Sequence, residues 1–394
     1  MTQQTASTAV IPLLSAANFM IGMGAFMVIG ALTPVAQDLA IAPEVAGRLM
    51  IFYAMGYAIL SPLLVALTGA MGRRRVMALG MAAFALANLI AALAPDPATL
   101  FASRILAAAG AGLVTPVAAG VAALLSAPER CASTLAAVFF GLTLAQVAGV
   151  PAGGFIAYTF GWRSAFALVG LLSLPFVLLI WLRVPAGLHL PPVSLGDLGR
   201  TLVSPRHLTA LLFTCCFVGP TYIVYTYISP LLETRMGFGR DGITLYLLSC
   251  GAGAVIGNLI GGRLTDRIGP ARTLALLAVV QCGLLPVFSF LPLPVWLLFA
   301  LGFTWSAFGW SFNAPQQLRL ITLDPGRASV LLALNAGAIY IGSAAGASVG
   351  AGVLAAWGLD SLGLAAGASL LIAIAVLALG ESLARRAAPD GFSR

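Results

Sequence analysis

The sequence predicts an all-α integral membrane protein with twelve transmembrane helices in two six-helix bundles related by pseudo-twofold symmetry. Three observations lead there. First, 60% of the 394 residues are hydrophobic and only 8% are charged. A soluble domain carries roughly 25% charged residues, so this chain could not cover a globular surface with polar groups. Second, the apolar residues come in runs long enough to cross a bilayer, and about twelve runs of ~20 residues fit the length. Third, the chain echoes itself at half its length, 197 residues.

The runs fall near 10–35, 47–70, 76–94, 98–125, 133–157, 163–183, 208–232, 243–262, 272–292, 294–317, 328–356 and 362–384. Only Leu291-Pro292-Leu293-Pro294 divides the ninth from the tenth. Residues Met1–Val10 show no basic n-region and no cleavage site, so no removable signal peptide is expected. All 20 basic residues are Arg. With the N-terminus placed in the cytoplasm, fifteen of them fall on the cytoplasmic side and four on the outer side, leaving Arg104 inside a span. The net charge of +8 therefore reports topology, with both termini cytoplasmic, and not nucleic-acid binding. The longest polar stretch holds four prolines and little helical pattern, and reads as a cytoplasmic tether. It divides the chain into an N-terminal bundle (1–183), a linker (184–207) and a C-terminal bundle (208–394).

The repeat is legible in small residues and in Arg. Gly149-Val150-Pro151-Ala152-Gly153-Gly154 in span 5 is echoed 197 residues on by Gly346-Ala347-Ser348-Val349-Gly350-Ala351. Such runs break soluble helices, yet in membranes they let neighbouring helices approach closely. Gly72-Arg73-Arg74-Arg75 after span 2 is matched by Gly269-Pro270-Ala271-Arg272 after span 8. Two homologous halves in parallel orientation are a transporter build, with the substrate site near the midplane between the halves.

These residues resemble the major facilitator superfamily over nearly the whole chain. Its loop signature after spans 2 and 8 is Gly-x-Leu-x-Asp-Arg-x-Gly-Arg. The second copy is kept as Gly262-Arg263-Leu264-Thr265-Asp266-Arg267-Ile268-Gly269. The first has Val65 for the Gly, Gly69 for the Asp and Ala70 for the first Arg, keeping Leu67 and Gly72-Arg73-Arg74-Arg75. In the family the Asp-Arg pair latches the outward-facing state. The resemblance thus implies a cytoplasmic gate at Gly262, Asp266, Arg267 and Gly269, with a degraded counterpart at Gly72, Arg73 and Arg74. The span 5 run looks like the antiporter motif of the drug:proton antiporter branch, implying that role for Gly149, Pro151, Gly153 and Gly154. Gly161-Trp162-Arg163 and Gly30-Ala31-Leu32-Thr33-Pro34 look like the bacterial arabinose-efflux-permease-like members.

Arg104 is the sharpest single residue. A charge at the centre of a span costs roughly 2.5–3.5 kcal/mol and faces a cavity or a partner. The family places an Arg here in proton coupling or substrate binding; the other reading is that Arg104 snorkels to the interface. No acid lies mid-span. Asp38 and Glu233, at outer span ends, are the carboxylates left to carry protons opposite Arg104; ordinary interface charge is the other reading of both. Polar and aromatic residues recur where a cavity lining is expected: Asn18, Tyr53 and Gln146 in the first half, and Tyr222, Tyr225, Trp305, Asn313, Gln316 and Asn335 in the second. Each can contact a ligand or tie helices together.

His189 and His207 are too few and too far apart for a metal site, the five Cys show no redox or metal spacing, and no phosphate-cradling loop is present. No cofactor is expected, and the energy source is an ion or solute gradient. Enzymes and channels are disfavoured because no catalytic cluster or filter loop appears. The expectation is a bacterial inner-membrane secondary transporter exchanging protons for a small, drug-like or metabolite solute. A sugar or metabolite permease of the same fold is the alternative. A monomer in the lipid bilayer is what the resemblance implies.

Overall fold

The computed structural model describes residues 3–126, 130–188 and 195–386; His189 lies outside them. Among the described residues twelve helices are long and apolar enough to cross a membrane: Val10–Asp38, Pro43–Leu67, Arg73–Ala92, Pro97–Leu124, Ser133–Phe160 and Trp162–Arg183 (spans 1–6), then Pro205–Tyr225, Arg240–Ile268, Pro270–Phe290, Val295–Leu323, Val330–Trp357 and Leu359–Leu383 (spans 7–12). No strand occurs among the described residues.

Hydrocarbon offers the backbone no partner, so each span satisfies its peptide groups internally. Departures from the α-helix fall where proline withdraws a donor. Pro151 follows a π-helical turn, Ala145–Gly149, in span 5. Pro230 stands four residues beyond Thr226, where span 7 ends in a turn before a short helix, Ile228–Met236. The sequence pattern there read as one unbroken run to 232. Pro315 stands four residues beyond Ser311, where span 10 bends between Trp310 and Asn313.

The chain forms two compact units, Met1–Val193 with Phe238–Leu248, and Ser194–Gly237 with Ser249–Arg394. The division falls inside the polar stretch. Part of that stretch is helical, Leu195–Val203, where a structureless tether was expected.

Within the first unit, span 1 packs on spans 5 and 6, span 4 on spans 2 and 3, and span 3 on span 6. The second unit repeats the pattern with spans six higher: 7 on 11 and 12, 10 on 9, and 9 on 12. Span 8 meets span 10 through Gly253, Gly257 and Gly261, four residues apart on one face. A Cβ on these would lie 2.3, 2.0 and 2.4 Å from the carbonyl oxygens of Phe303, Ala307 and Ser311. Only a missing side chain allows this approach. Ser306 and Ser311 then donate across the contact to the Cys250 and Gly257 carbonyls, both at 2.6 Å.

Gly257→Ala is expected to separate the two helices and abolish most folded protein in detergent. Gly352→Ala, where a new Cβ meets open space, is expected to keep or slightly raise the melting midpoint, since Ala exceeds Gly by up to ~1 kcal/mol in helix propensity. Thermal stability followed by size-exclusion chromatography separates the two cases.

Candidate functional site

Arg104 sits about two turns into span 4 and is only 1% exposed. Its Nη1 donates to the Gly24 carbonyl at 2.8 Å, its Nη2 to the Ala25 carbonyl at 3.0 Å, and its Nε reaches the Leu49 carbonyl at 3.5 Å. The guanidinium lies 4.5 Å over the Tyr53 ring and 5.8 Å from that of Phe166. The planar fork suits two adjacent carbonyls of span 1 as a point charge could not. Arg104 neither snorkels nor faces a carboxylate: it ties span 4 to spans 1 and 2.

Asn18 is also buried and committed. Its Nδ2 donates to the Val138 carbonyl at 3.2 Å and its Oδ1 accepts from Thr115 Oγ1 at 3.0 Å, so spans 1, 4 and 5 meet on one side chain. Gln146 stands half-buried in the π-helical turn. Beyond that turn span 5 runs against span 1. A Cβ on Gly153 would lie 2.3 Å from Met27 Cβ, and one on Gly30 would lie 2.7 Å from the Val150 carbonyl and 2.9 Å from Gly154 Cα. Gly149 faces Met23 at 3.3 Å in the same sense, and Pro151 is buried beside it.

Asp38 closes the far end of span 1. It accepts from Trp162 Nε1 at 2.9 Å and pairs with Arg163, both at the start of span 6. In the second unit, Arg235 pairs with Asp360. These positions are those of Asp38 and Arg163 moved on by 197 residues, with the charges exchanged. Glu233 is half-buried two residues before Arg235.

The second unit gathers the aromatic residues. Tyr222 and Tyr225 of span 7 meet edge to face at 6.0 Å, Tyr225 meets Trp305 at 5.6 Å, and Trp305 meets Phe288 at 5.4 Å. Trp305 Nε1 is buried without an acceptor. Gln281 Nε2 donates to the Trp305 carbonyl at 2.8 Å, leaving Gln281 Oε1 buried without a donor. Nearer the start of span 7, Gln316 donates to the Ala210 carbonyl and to Thr214 Oγ1, which donates to Asn335 Oδ1 at 2.6 Å. Gln316 Oε1 stays unpartnered. Asn313 donates to the Trp310 carbonyl at 3.3 Å. A void of about 20 Å³ lies between Phe217, Thr221 and Tyr222 on span 7 and Trp310 and Phe312 on span 10, room for a single water.

The loop signatures differ in use. Asp266 and Arg267 are exposed and make no ion pair among the described residues, and Gly269 turns the chain at φ +84°. In the first copy Arg73 is buried; its Nη2 donates to the Gly69 carbonyl at 3.1 Å and its N–H to the Leu188 carbonyl at 3.1 Å. Gly69 stands where the pattern has Asp, so a backbone carbonyl takes the place of the carboxylate. Gly72 precedes this turn with open space around it, and Arg74 lies 4.7 Å over the Trp181 ring.

Two side-chain pairs escaped sequence reasoning. Arg319 of span 10, 7% exposed, pairs with Glu381 of span 12 at 3.0 Å. Arg319 is one of the fifteen Arg assigned to the cytoplasmic side, whereas the structure places it inside span 10, Val295–Leu323. His207 Nε2 lies 3.4 Å from Asp324, joining the start of span 7 to the end of span 10.

The profile of the Major Facilitator Superfamily matches residues 14–329. The chain belongs to this superfamily. The transporter is 33% identical over 350 residues to the inner membrane transport protein YdhP of Escherichia coli K12, covering 88% of this chain and 89% of that one. It is 30% identical over 341 residues to YbcL of Bacillus subtilis, an uncharacterized MFS-type transporter, covering 86% and 87%. It is 30% identical over 370 residues to a chloramphenicol resistance protein of Streptomyces lividans, covering 93% and 94%. Among solved structures, a bacterial homologue of the human lysosomal transporter Spinster superposes with a TM-score of 0.79 at 17% identity, covering 98% and 99%. The nucleoside transporter NupG gives 0.77 at 12% identity, covering 95% and 99%. These two show the shared fold. The transporter is a multi-pass inner-membrane protein and not an enzyme.

Two outcomes follow. Arg104→Lys and Arg104→Ala are both expected to lower the melting midpoint of the transporter by several degrees. Hydrogen bonds from a charged group contribute roughly 1.5–3 kcal/mol each, and Lys cannot fork onto two carbonyls; a Lys variant as stable as wild type would remove the carbonyl tie as the reason for Arg. For the two Arg–Asp pairs at the span ends, Asp38→Arg and Arg235→Asp are each expected to be destabilising. The double exchange in the second unit (Arg235→Asp with Asp360→Arg) is expected to restore the midpoint. The same exchange in the first unit restores it in part, because Trp162 Nε1 loses its acceptor. A double-mutant cycle on melting midpoints reads the coupling.

Proposed function

We propose that this transporter exports a small, uncharged, amphipathic aromatic solute in exchange for protons by alternating access, as a monomer with both termini in the cytoplasm. The observation that carries the substrate class is the Tyr222–Tyr225–Trp305 ladder, with a spare buried N–H on Trp305 and no carboxylate bonded to it. Flat aromatic walls with a few placed polar groups suit drug-sized ligands. A cationic solute would want a buried counter-charge, and the described carboxylates sit near span ends. Arg104, the cation expected to face a ligand, has each of its three nitrogens bonded to a carbonyl.

The direction of transport rests on two supports. The Gly149–Gly154 run of span 5 presses its backbone onto span 1, the kind of seal that exchange without proton leak requires. The resistance protein of Streptomyces lividans shares 30% identity over nearly its whole length, which supports a comparable drug-like cargo.

For the proton, Asp38 and Glu233 remain in the proposal, and the Arg319–Glu381 pair joins them as the ion pair with the most deeply buried Arg among the described residues. Protonating Glu381 would release Arg319, whose Nη1 is already buried without a partner. Gly262, Asp266, Arg267 and Gly269 are proposed as the cytoplasmic gate. One observation favours a second reading. With no carboxylate near Arg104, a gradient-independent sugar or metabolite permease needs no further residue.

Inside-out vesicles energised to an acid interior separate these readings. Neutral aromatic drugs such as chloramphenicol are expected to release protons from wild-type vesicles, and Glu381→Gln to reduce that release at least tenfold while drug counterflow persists. A labelled solute that equilibrates equally with and without the gradient would replace antiport with facilitation.

A further inference from the structure

None of the residues above explains a groove on the membrane face of the first unit. It has a volume of about 440 Å³ and lies between Ala78, Ala82 and Leu86 on span 3 and Leu174, Leu178 and Trp181 on span 6. Ala78, Ala82 and Leu86 recur every four residues, so they share one helix face, and the two alanines hollow it. Leu86, Leu178 and Trp181 are about half exposed. By helix rise the groove runs about 12 Å, most of the ~15 Å depth of one leaflet.

One end of the groove is strongly cationic. Trp181 carries Arg74 over its ring at 4.7 Å; Arg75, next in sequence, and Arg183, two residues beyond Trp181, are exposed. No acid occurs in the sequence between Glu44 and Asp96, or between Glu129 and Asp197. Among the described residues Arg74, Arg75 and Arg183 make no ion pair. The end is built firmly, because the Arg73 N–H bonds the Leu188 carbonyl and holds the segment after span 6 against the start of span 3. Three cations without an ion pair among the described residues thus stand where span 3 begins and span 6 ends, at one end of a chain-shaped apolar slot.

We propose that this groove is a binding site for an anionic glycerophospholipid. The phosphate and acidic headgroup sit on Arg74, Arg75 and Arg183, and one acyl chain lies between spans 3 and 6, bounded by Trp181. A zwitterionic lipid fills the same slot but brings no net charge to the arginines. Basic residues at a membrane surface select acidic lipids through this attraction.

Native mass spectrometry of the intact transporter, released from micelles holding equimolar phosphatidylglycerol and phosphatidylcholine with the same acyl chains, tests the site. Wild type is expected to retain phosphatidylglycerol over phosphatidylcholine by roughly tenfold, given the strength of attraction per basic residue. The triple variant Arg74→Gln, Arg75→Gln, Arg183→Gln is expected to bring the ratio near one. The double variant Arg75→Gln, Arg183→Gln, confined to exposed side chains, is expected to lower it at least threefold and serves if the triple variant misfolds. Ala82→Trp, which fills the slot, is expected to reduce retention of both lipids. Equal retention in wild type, a preference that survives the Arg substitutions, or retention left unchanged by Ala82→Trp would overturn the assignment.

Discussion

A peptide group inside hydrocarbon must find its hydrogen bond within its own helix, because no water is there to supply one. The twelve spans follow from that rule, and so do their defects. Each departure in spans 5, 7 and 10 lies about one turn before a proline nitrogen that cannot donate. The same constraint explains how Arg104 is held. Helical carbonyls keep a spare lone pair, and those of Gly24 and Ala25 supply what a carboxylate would otherwise provide. Arg73 is held the same way on Gly69.

Helix association in lipid cannot draw on the exclusion of water, so it depends on close approach and polar ties. Glycine supplies the approach, in span 8 against the carbonyls of span 10 and in span 5 against span 1. Asn, Gln, Ser and Thr supply the ties. Three of the polar residues that read as a cavity lining, Asn18, Gln316 and Asn335, are occupied in this way. Asn18 and Asn335 bridge spans 1 and 5 and spans 7 and 11 at comparable places in the two units.

The two halves keep positions while exchanging residues. Asp38 and Arg163 become Arg235 and Asp360. A serine on span 2, Ser61, faces Gly112 of span 4, whereas in the second unit the glycines lie on span 8 and the serine, Ser311, on span 10. The exchange preserves each interaction because it depends on the pair and not on which helix carries which partner. It also hides the repeat from residue-by-residue matching, since opposite charges stand at equivalent positions.

Apolar run length, the absence of soluble-protein charge density, and the Gly, Pro and Arg echoes determined the twelve spans, because bilayer thickness sets helix length and every span must be helical whatever its neighbours. Residue type also marked Arg104 and the span 5 run as unusual. What Arg104 touches, which polar groups stay unsatisfied at Trp305 and Gln281, and the pairing of Arg319 with Glu381 were decided by tertiary structure alone. Those facts depend on how each helix is rotated about its axis. Rotation is set by interlocking small residues on several helices at once, and a helix hydrophobic on nearly every face carries too little periodic contrast to declare it.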